Sequence, residues 1–207
     1  MPSRVTFTYW AIRIARKLHE MQFSLGETDH LYINFSDCLQ QDDFEISNRK
    51  PTNWIQYVNV GVDFDHFNQK SSEEQEVLIV NYIFKALQTV STTNQKKILN
   101  SCEEIIKTQG KKTIIHYKSK EVNSYQVDIS YQIQPDDKST LMLIDYKDKK
   151  TNEQQHFEFP VRFFEDIYTL VNNIKVVNNR IEMLPKKSFK AESYNSFYKT
   201  PLKFELK

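Results

Sequence analysis

Residues 62–66, Val-Asp-Phe-Asp-His, are where this sequence comes nearest to a recognisable chemistry. Two carboxylates two residues apart, with an imidazole beside them, are the materials of a divalent-metal site or an acid/base pair. A metal site needs three or more convergent ligands. If the strand leading into this stretch continues, Asp63 and Asp65 share one face and His66 points to the other. The spacing therefore predicts a solvated strand end and no metal, with Asp63 and Asp65 free to meet a basic protein partner. His19-Glu20 opens like the zinc-protease pattern H-E-x-x-H, but Phe23 stands where the second histidine belongs. His30, His116 and His156 fall on separate elements and read as structural residues.

The remaining chemistry is limited by composition. With only three glycines, Gly26, Gly61 and Gly110, the chain contains no G-x-G-x-x-G, no P-loop and no G-x-S-x-G elbow. That argues against nucleotide-dependent and α/β-hydrolase chemistry. Cys38 and Cys102 lie far apart, one in an expected loop and one in an expected helix, and are read as reduced, half-buried thiols. A net charge of +1 supplies no global field for nucleic acid or an anionic membrane. The chain has no apolar run of about 18 residues, and its first residues lack a signal peptide's apolar block, so a cytoplasmic protein without membrane contact is expected.

Charge is asymmetric locally. Residues 37–76 carry nine acidic side chains against Arg49, Lys50 and Lys70, an excess that reads either as a solvated rim or as a surface for a basic partner. Within them, residues 37–53 form a polar loop in which Phe44 offers an aromatic anchor surrounded by Asp42, Asp43 and Glu45, the expected partner-binding site. Residues 186–207 carry six lysines against Glu192 and Glu205, interleaved with Phe189, Tyr194, Phe197, Tyr198 and Phe204. A free tail of this kind would stack bases. A docked one would lay its aromatics on the core, with KFEL as an edge strand. The second is preferred, because five exposed aromatics would be unusual, and a nucleic-acid partner is disfavoured.

The elements that must position these residues follow from periodicity. A short strand is expected at residues 5–7, then an amphipathic helix on Ala11, Ile14, Ala15, Leu18 and Met21. LYINF reads as a strand, Pro51 argues against strand pairing in the acidic loop, and residues 54–64 alternate as a strand. Ser71 to Glu74 fits a capping box ahead of a helix apolar around most of its girth. A second helix follows, with Gly110 at its C-terminal cap. Four strands then form an antiparallel meander, with turns at QPDDK and KDKKTN, and a short helix and a hairpin turning on Asn178-Asn179 complete the pattern. At 207 residues the expectation is a single α+β domain, an antiparallel meander packed against a helical hairpin, with residues 186–207 as an arm or edge strand.

This organisation, with stretches such as RVTFTYWAIRIARKLHEM and DHLYINF, resembles immunity proteins that neutralise bacterial polymorphic or contact-delivered toxins. The resemblance implies a dedicated protein partner, no cofactor and no catalysis. The +1 charge departs from the acidic balance common among such proteins. The alternatives are a small enzyme without a known motif and a nucleic-acid binder using the basic aromatic tail.

Overall fold

A computed structural model describes residues 4–49, 51–135 and 138–207, with side chains from Phe7 onward. The chain is α+β, 36% helical and 33% strand, and gathers into two compact units, Met1–Gly110 and Lys111–Lys207. Among the described residues no helix is long and apolar enough to cross a membrane.

The first unit opens with α1 (Arg4–Glu20), followed by β1 (His30–Ser36), β2 (Phe44–Ile46), β3 (Ile55–Gly61), α2 (Phe64–Asn68), α3 (Ser72–Val90) and α4 (Thr93–Gln109). The expected strand at residues 5–7 is instead part of α1. Its buried positions Tyr9, Trp10, Arg13, Ile14, Lys17 and Leu18 recur at helical spacing, so burial settles what local alternation left open. Arg13 is fully buried, its guanidinium 4.0 Å from the Tyr9 ring and 4.5 Å from the Trp10 ring. Burial lowers its pKa to about 9, and the Glu76 carboxylate on α3 opposes that shift. In β3 the alternation is real, with Val58 and Val60 wholly buried, each worth about 1.5–3 kcal/mol of apolar transfer. The strands order as β1-β3-β2, with β1 parallel to β3 and β2 antiparallel to it.

The capping box at the start of α3 is present, the Glu74 backbone N–H donating to Ser71 and the Ser71 backbone N–H to the Glu74 carboxylate. Phe84, Ile79 and Ala86 of α3 are fully buried. The helix packs on α1, α4, β2 and β3. Thus α3 covers the small sheet of its own unit. The apolar girth was legible, but it does not say which sheet it meets. Gly110 caps α4 with a φ of +54°, as its position predicts.

After a 3-10 turn at Gly110–Lys112, the second unit runs β4 (Ile115–Glu121), β5 (Tyr125–Gln132), β6 (Thr140–Asp148), β7 (Gln154–Val161), α5 (Phe164–Leu170), β8 (Asn173–Val177), β9 (Arg180–Leu184), α6 (Phe189–Asn195) and β10 (Leu202–Glu205). The meander β4-β5-β6-β7 is as expected. At its KDKKTN turn, the Asp148 carboxylate accepts the Lys150 and Thr151 backbone N–H groups, which holds its pKa below the usual carboxylate value. The centre of the QPDDK turn, residues 136 and 137, lies outside the described residues. Asn178 and Asn179, with φ of +51° and +56°, make the two-residue turn between β8 and β9. The C-terminal segment docks only in part: β10 pairs antiparallel with β9, Phe204 packs 5.5 Å from Phe157 and Tyr198 6.2 Å from Phe159, whereas Phe189, Tyr194 and Phe197 stay exposed, against the expectation that the tail lays all its aromatics on the core.

Candidate functional site

A strand at the rim of a sheet offers a row of unpaired N–H and C=O groups, and proteins usually blunt it with lysine, proline, a bulge or shortness. Nearly every rim strand in the described residues is blunted in this way. β2 has three residues. β4 carries Lys118 and Lys120 and shifts register between His116 and Lys118. β7 carries Pro160, β8 Lys175 and β10 Lys203. The exception is β1, His-Leu-Tyr-Ile-Asn-Phe-Ser, with seven residues, no lysine, no proline and an unbroken register from His30 opposite Ile55 to Ser36 opposite Gly61.

Which backbone groups of β1 face outward follows from the ends of that register. The His30 N–H donates to the Trp54 carbonyl at 3.1 Å, and the Val62 N–H donates to the Ser36 carbonyl at 2.9 Å. In a parallel pair every second residue directs both its groups to the same neighbour. His30, Tyr32, Asn34 and Ser36 therefore face β3, and Leu31, Ile33 and Phe35 present three N–H and three C=O groups to the open side.

Beside that edge runs an apolar groove of about 480 Å³. One wall is Leu31 and Ile33 of β1, the other is Ala11, Ile14, Ala15 and Leu18 of α1, and Ile83 and Leu87 of α3 contribute to its lining from within the unit. Phe35, 4.8 Å from Phe7 and 5.9 Å from Tyr82, packs beyond Ile33. Ala11 and Ala15 are exposed although they belong to the apolar stripe of α1. Their small side chains keep the groove open. Carboxylates bracket the edge in sequence, Asp29 just before β1 and Asp37 just after it.

The outer face of the same sheet carries aromatic residues in register. The Tyr32 and Tyr57 rings stack at 5.1 Å, Arg49 lies 5.4 Å from the Tyr57 ring, and the amide of Asn34 donates to Asn59 at 3.2 Å. Trp54 packs edge-on against His30 at 5.4 Å. Tyr32 is 48% and Trp54 45% exposed, and tryptophan, tyrosine and arginine are the residues on which protein interfaces concentrate their energy.

The acidic residues singled out in the sequence lie elsewhere. Residues 37–53 are not all loop, because Phe44–Ile46 form β2 on the far side of β3 from β1, and Pro51, five residues past Ile46, removes no ladder bond. Phe44 turns inward, half-buried, 6.2 Å from the Tyr82 ring, with the Lys85 ammonium 5.7 Å from its own ring. It joins the turn to α3. Asp42, at a φ of +66°, lies 3.8 Å from the Lys85 ammonium. Burial, helped by Asp42, raises the Tyr82 pKa. The Asp43 carbonyl accepts the Gly61 N–H at 2.9 Å, and Glu45 is exposed opposite Asn59. Asp63 and Asp65 are not on a strand. The chain leaves β3 at Gly61, Asp63 caps α2 by accepting the His66 N–H at 2.9 Å, and Asp65 sits exposed in the first turn. The cap draws His66 into the helix, so the pattern that resembled a ligand set is a helix start.

On the meander, exact register lines up Ser119, Asp128, Asp145 and His156 across β4 to β7. The Ser119 hydroxyl donates to Asp128 at 2.5 Å and lies 3.2 Å from His116 Nε2, while His156 Nδ1 is 2.7 Å from Asp145. A serine nucleophile must give its proton to the histidine. Here the hydroxyl is directed at Asp128 and not at His116, so the set lacks the activated geometry. His156 has a raised pKa, first through its hydrogen bond to Asp145 and then through Glu158, 3.6 Å from Nε2. Among the described residues no three His, Cys, Asp or Glu side chains are grouped to hold a metal. Cys102 is fully buried, with a pKa raised to about 12 by burial, and Cys38 is exposed, so neither thiol is the half-buried residue expected.

The residues that build the groove were missed in the sequence as a site. The signal was Ala11 and Ala15, small residues one turn apart in an otherwise bulky stripe, next to a strand without lysine or proline. No protein-family model, curated protein or solved structure matches the chain.

Proposed function

We propose that this chain is a non-enzymatic protein-binding module that neutralises a bacterial toxin in the cytoplasm by direct contact, and that the groove between α1 and β1 is its contact site. The observation that carries the reading is the unguarded β1 edge lying along an apolar groove, while the other rim strands among the described residues are blunted. The resemblance of the sequence to immunity proteins supports the choice of partner class, and the exposed Tyr32, Trp54 and Arg49 beside the edge supply the residue types of a recognition surface. Asp29 and Asp37 make that edge attractive to a basic partner.

The test is rescue of growth. The chain is co-expressed with the toxic domain encoded beside its gene, as the wild type and as Ala15→Trp, which fills the groove from an exposed position. Wild type is expected to restore growth and to co-purify with the domain in a defined ratio, and Ala15→Trp is expected to do neither while keeping its helical circular dichroism. Rescue undiminished by Ala15→Trp and by Ala11→Trp would remove the groove as the site. A neighbouring gene product that is harmless, or toxic but unbound, would end the toxin reading.

A further inference from the structure

We infer that the partner offers an extended segment that adds to β1 as a fourth strand, placing apolar side chains at alternate positions into the groove and lysine or arginine at its two ends. This rests on the reading of the groove as the contact site and names what enters it. Backbone geometry requires an extended chain. Leu31, Ile33 and Phe35 present their N–H and C=O groups outward along one line, a spacing that only another strand matches over that length. Leu31 and Ile33 line the groove with their side chains, so an added strand in register projects every second side chain into the same apolar space, against Ala11 and Ala15. Asp29 and Asp37 at the two ends of β1 choose basic flanks over acidic ones.

The probe is a fluorescein-labelled nine-residue peptide in which valine alternates with threonine between terminal lysines. Two backbone-methylated versions accompany it, one methylated on the valines and one on the threonines. In strand addition only one of these two sets of N–H groups points at β1, so one version is expected to lose at least tenfold in affinity and the other to retain it. Which set it is gives the strand direction. The unmethylated peptide is expected to slow hydrogen exchange at the Leu31, Ile33 and Phe35 amides at least tenfold and to leave Tyr32 and Asn34, already bonded to β3, unchanged. Replacing the terminal lysines by glutamates is expected to weaken binding several-fold at low salt, and Ala15→Trp to abolish it.

No saturable binding, equal effects of the two methylated versions, or protection spread evenly over β1 would each overturn strand addition. So would a free chain that elutes as a dimer with Leu31, Ile33 and Phe35 already protected, which would assign the edge to a second copy. The two readings fail separately. Peptide binding without toxin rescue removes the toxin and leaves the strand site, whereas toxin binding that depends on Ala15 without peptide binding keeps the groove and removes strand addition.

Discussion

Gly61 ends β3 where the turn at residues 39–43 crosses it, and replacing it by alanine tests how tightly the two are joined. A Cβ there would lie inside the van der Waals radius of the Gln40 carbonyl oxygen, 2.7 Å from the Gln40 carbonyl carbon and 3.1 Å from that of Leu39. Carbon atoms in contact sit about 3.5–4.0 Å apart, so relief requires the turn to move by about 1 Å. The obstructing atoms are backbone, and no rotamer change removes them. The same turn is bound to Gly61 by two hydrogen bonds, Gly61 N–H to Asp43 at 2.9 Å and Asp42 N–H to the Gly61 carbonyl at 3.0 Å. A 1 Å displacement takes both beyond bonding range. Two such bonds contribute about 1 kcal/mol each, and crowding adds about 1 kcal/mol more. The stiffer unfolded chain returns about 0.4–1 kcal/mol. Gly61→Ala is therefore expected to cost about 2 kcal/mol, a fall of about 1 M in the urea midpoint with the slope unchanged. The chain's two tryptophans, Trp10 and Trp54, both lie in the first unit, so their fluorescence follows the unfolding of that unit. A loss below about 0.5 kcal/mol, the range of exposed substitutions, would refute the placement of the turn against β3.

Three further outcomes are expected. Phe84→Ala, which empties a wholly buried site in α3, should cost about 3–5 kcal/mol by the same fluorescence assay, and a loss below about 1 kcal/mol would mean that α3 does not pack as described. A thiol reagent should titrate one cysteine in the native protein and two in denaturant, since Cys38 is exposed while Cys102 is buried with a pKa pushed up to about 12. Two fast native thiols would contradict the burial. His156, whose pKa is raised by Asp145, should titrate above 6.5 by NMR and move down in Asp145→Asn. Its pairing contributes stability fully below the unfolded value near 6.5 and loses it as pH rises through the folded pKa, at most about 0.5 kcal/mol for so exposed a pair. An unchanged midpoint in the variant would break the assignment.

What could be read from the sequence was local, and what could not was long-range. Ser71 and Glu74 announce a helix start because both halves of the cap are three residues apart, and Asn178-Asn179 announces a hairpin because asparagine tolerates the left-handed backbone. The alternation of Val58 and Val60 marks a buried face without naming its partners. The parallel pairing of β1 with β3 joins residues 25 apart, His30 with Ile55, and no residue pattern signals it. The stripe on α1 was visible, but only the fold shows that Ile14 and Leu18 are covered while Ala11 and Ala15 remain open. Asp63 misled because N-cap aspartates and strand-end aspartates have the same composition, and the helix that distinguishes them is only five residues long.

The open edge of β1 also bears on how long the chain survives in the cell. A strand with one side unmet is where a unit frays first, and a protease acts on the frayed fraction. A segment that binds only the folded unit stabilises it by RT ln(1 + [L]/Kd), about 2.7 kcal/mol when its concentration is a hundred times the dissociation constant. That term would reduce the frayed population about a hundredfold. If the proposed segment occupies β1, the abundance of the chain would follow that of the protein carrying it, with the unbound excess cleared first, so the stoichiometry of the pair would be set by turnover as well as by synthesis.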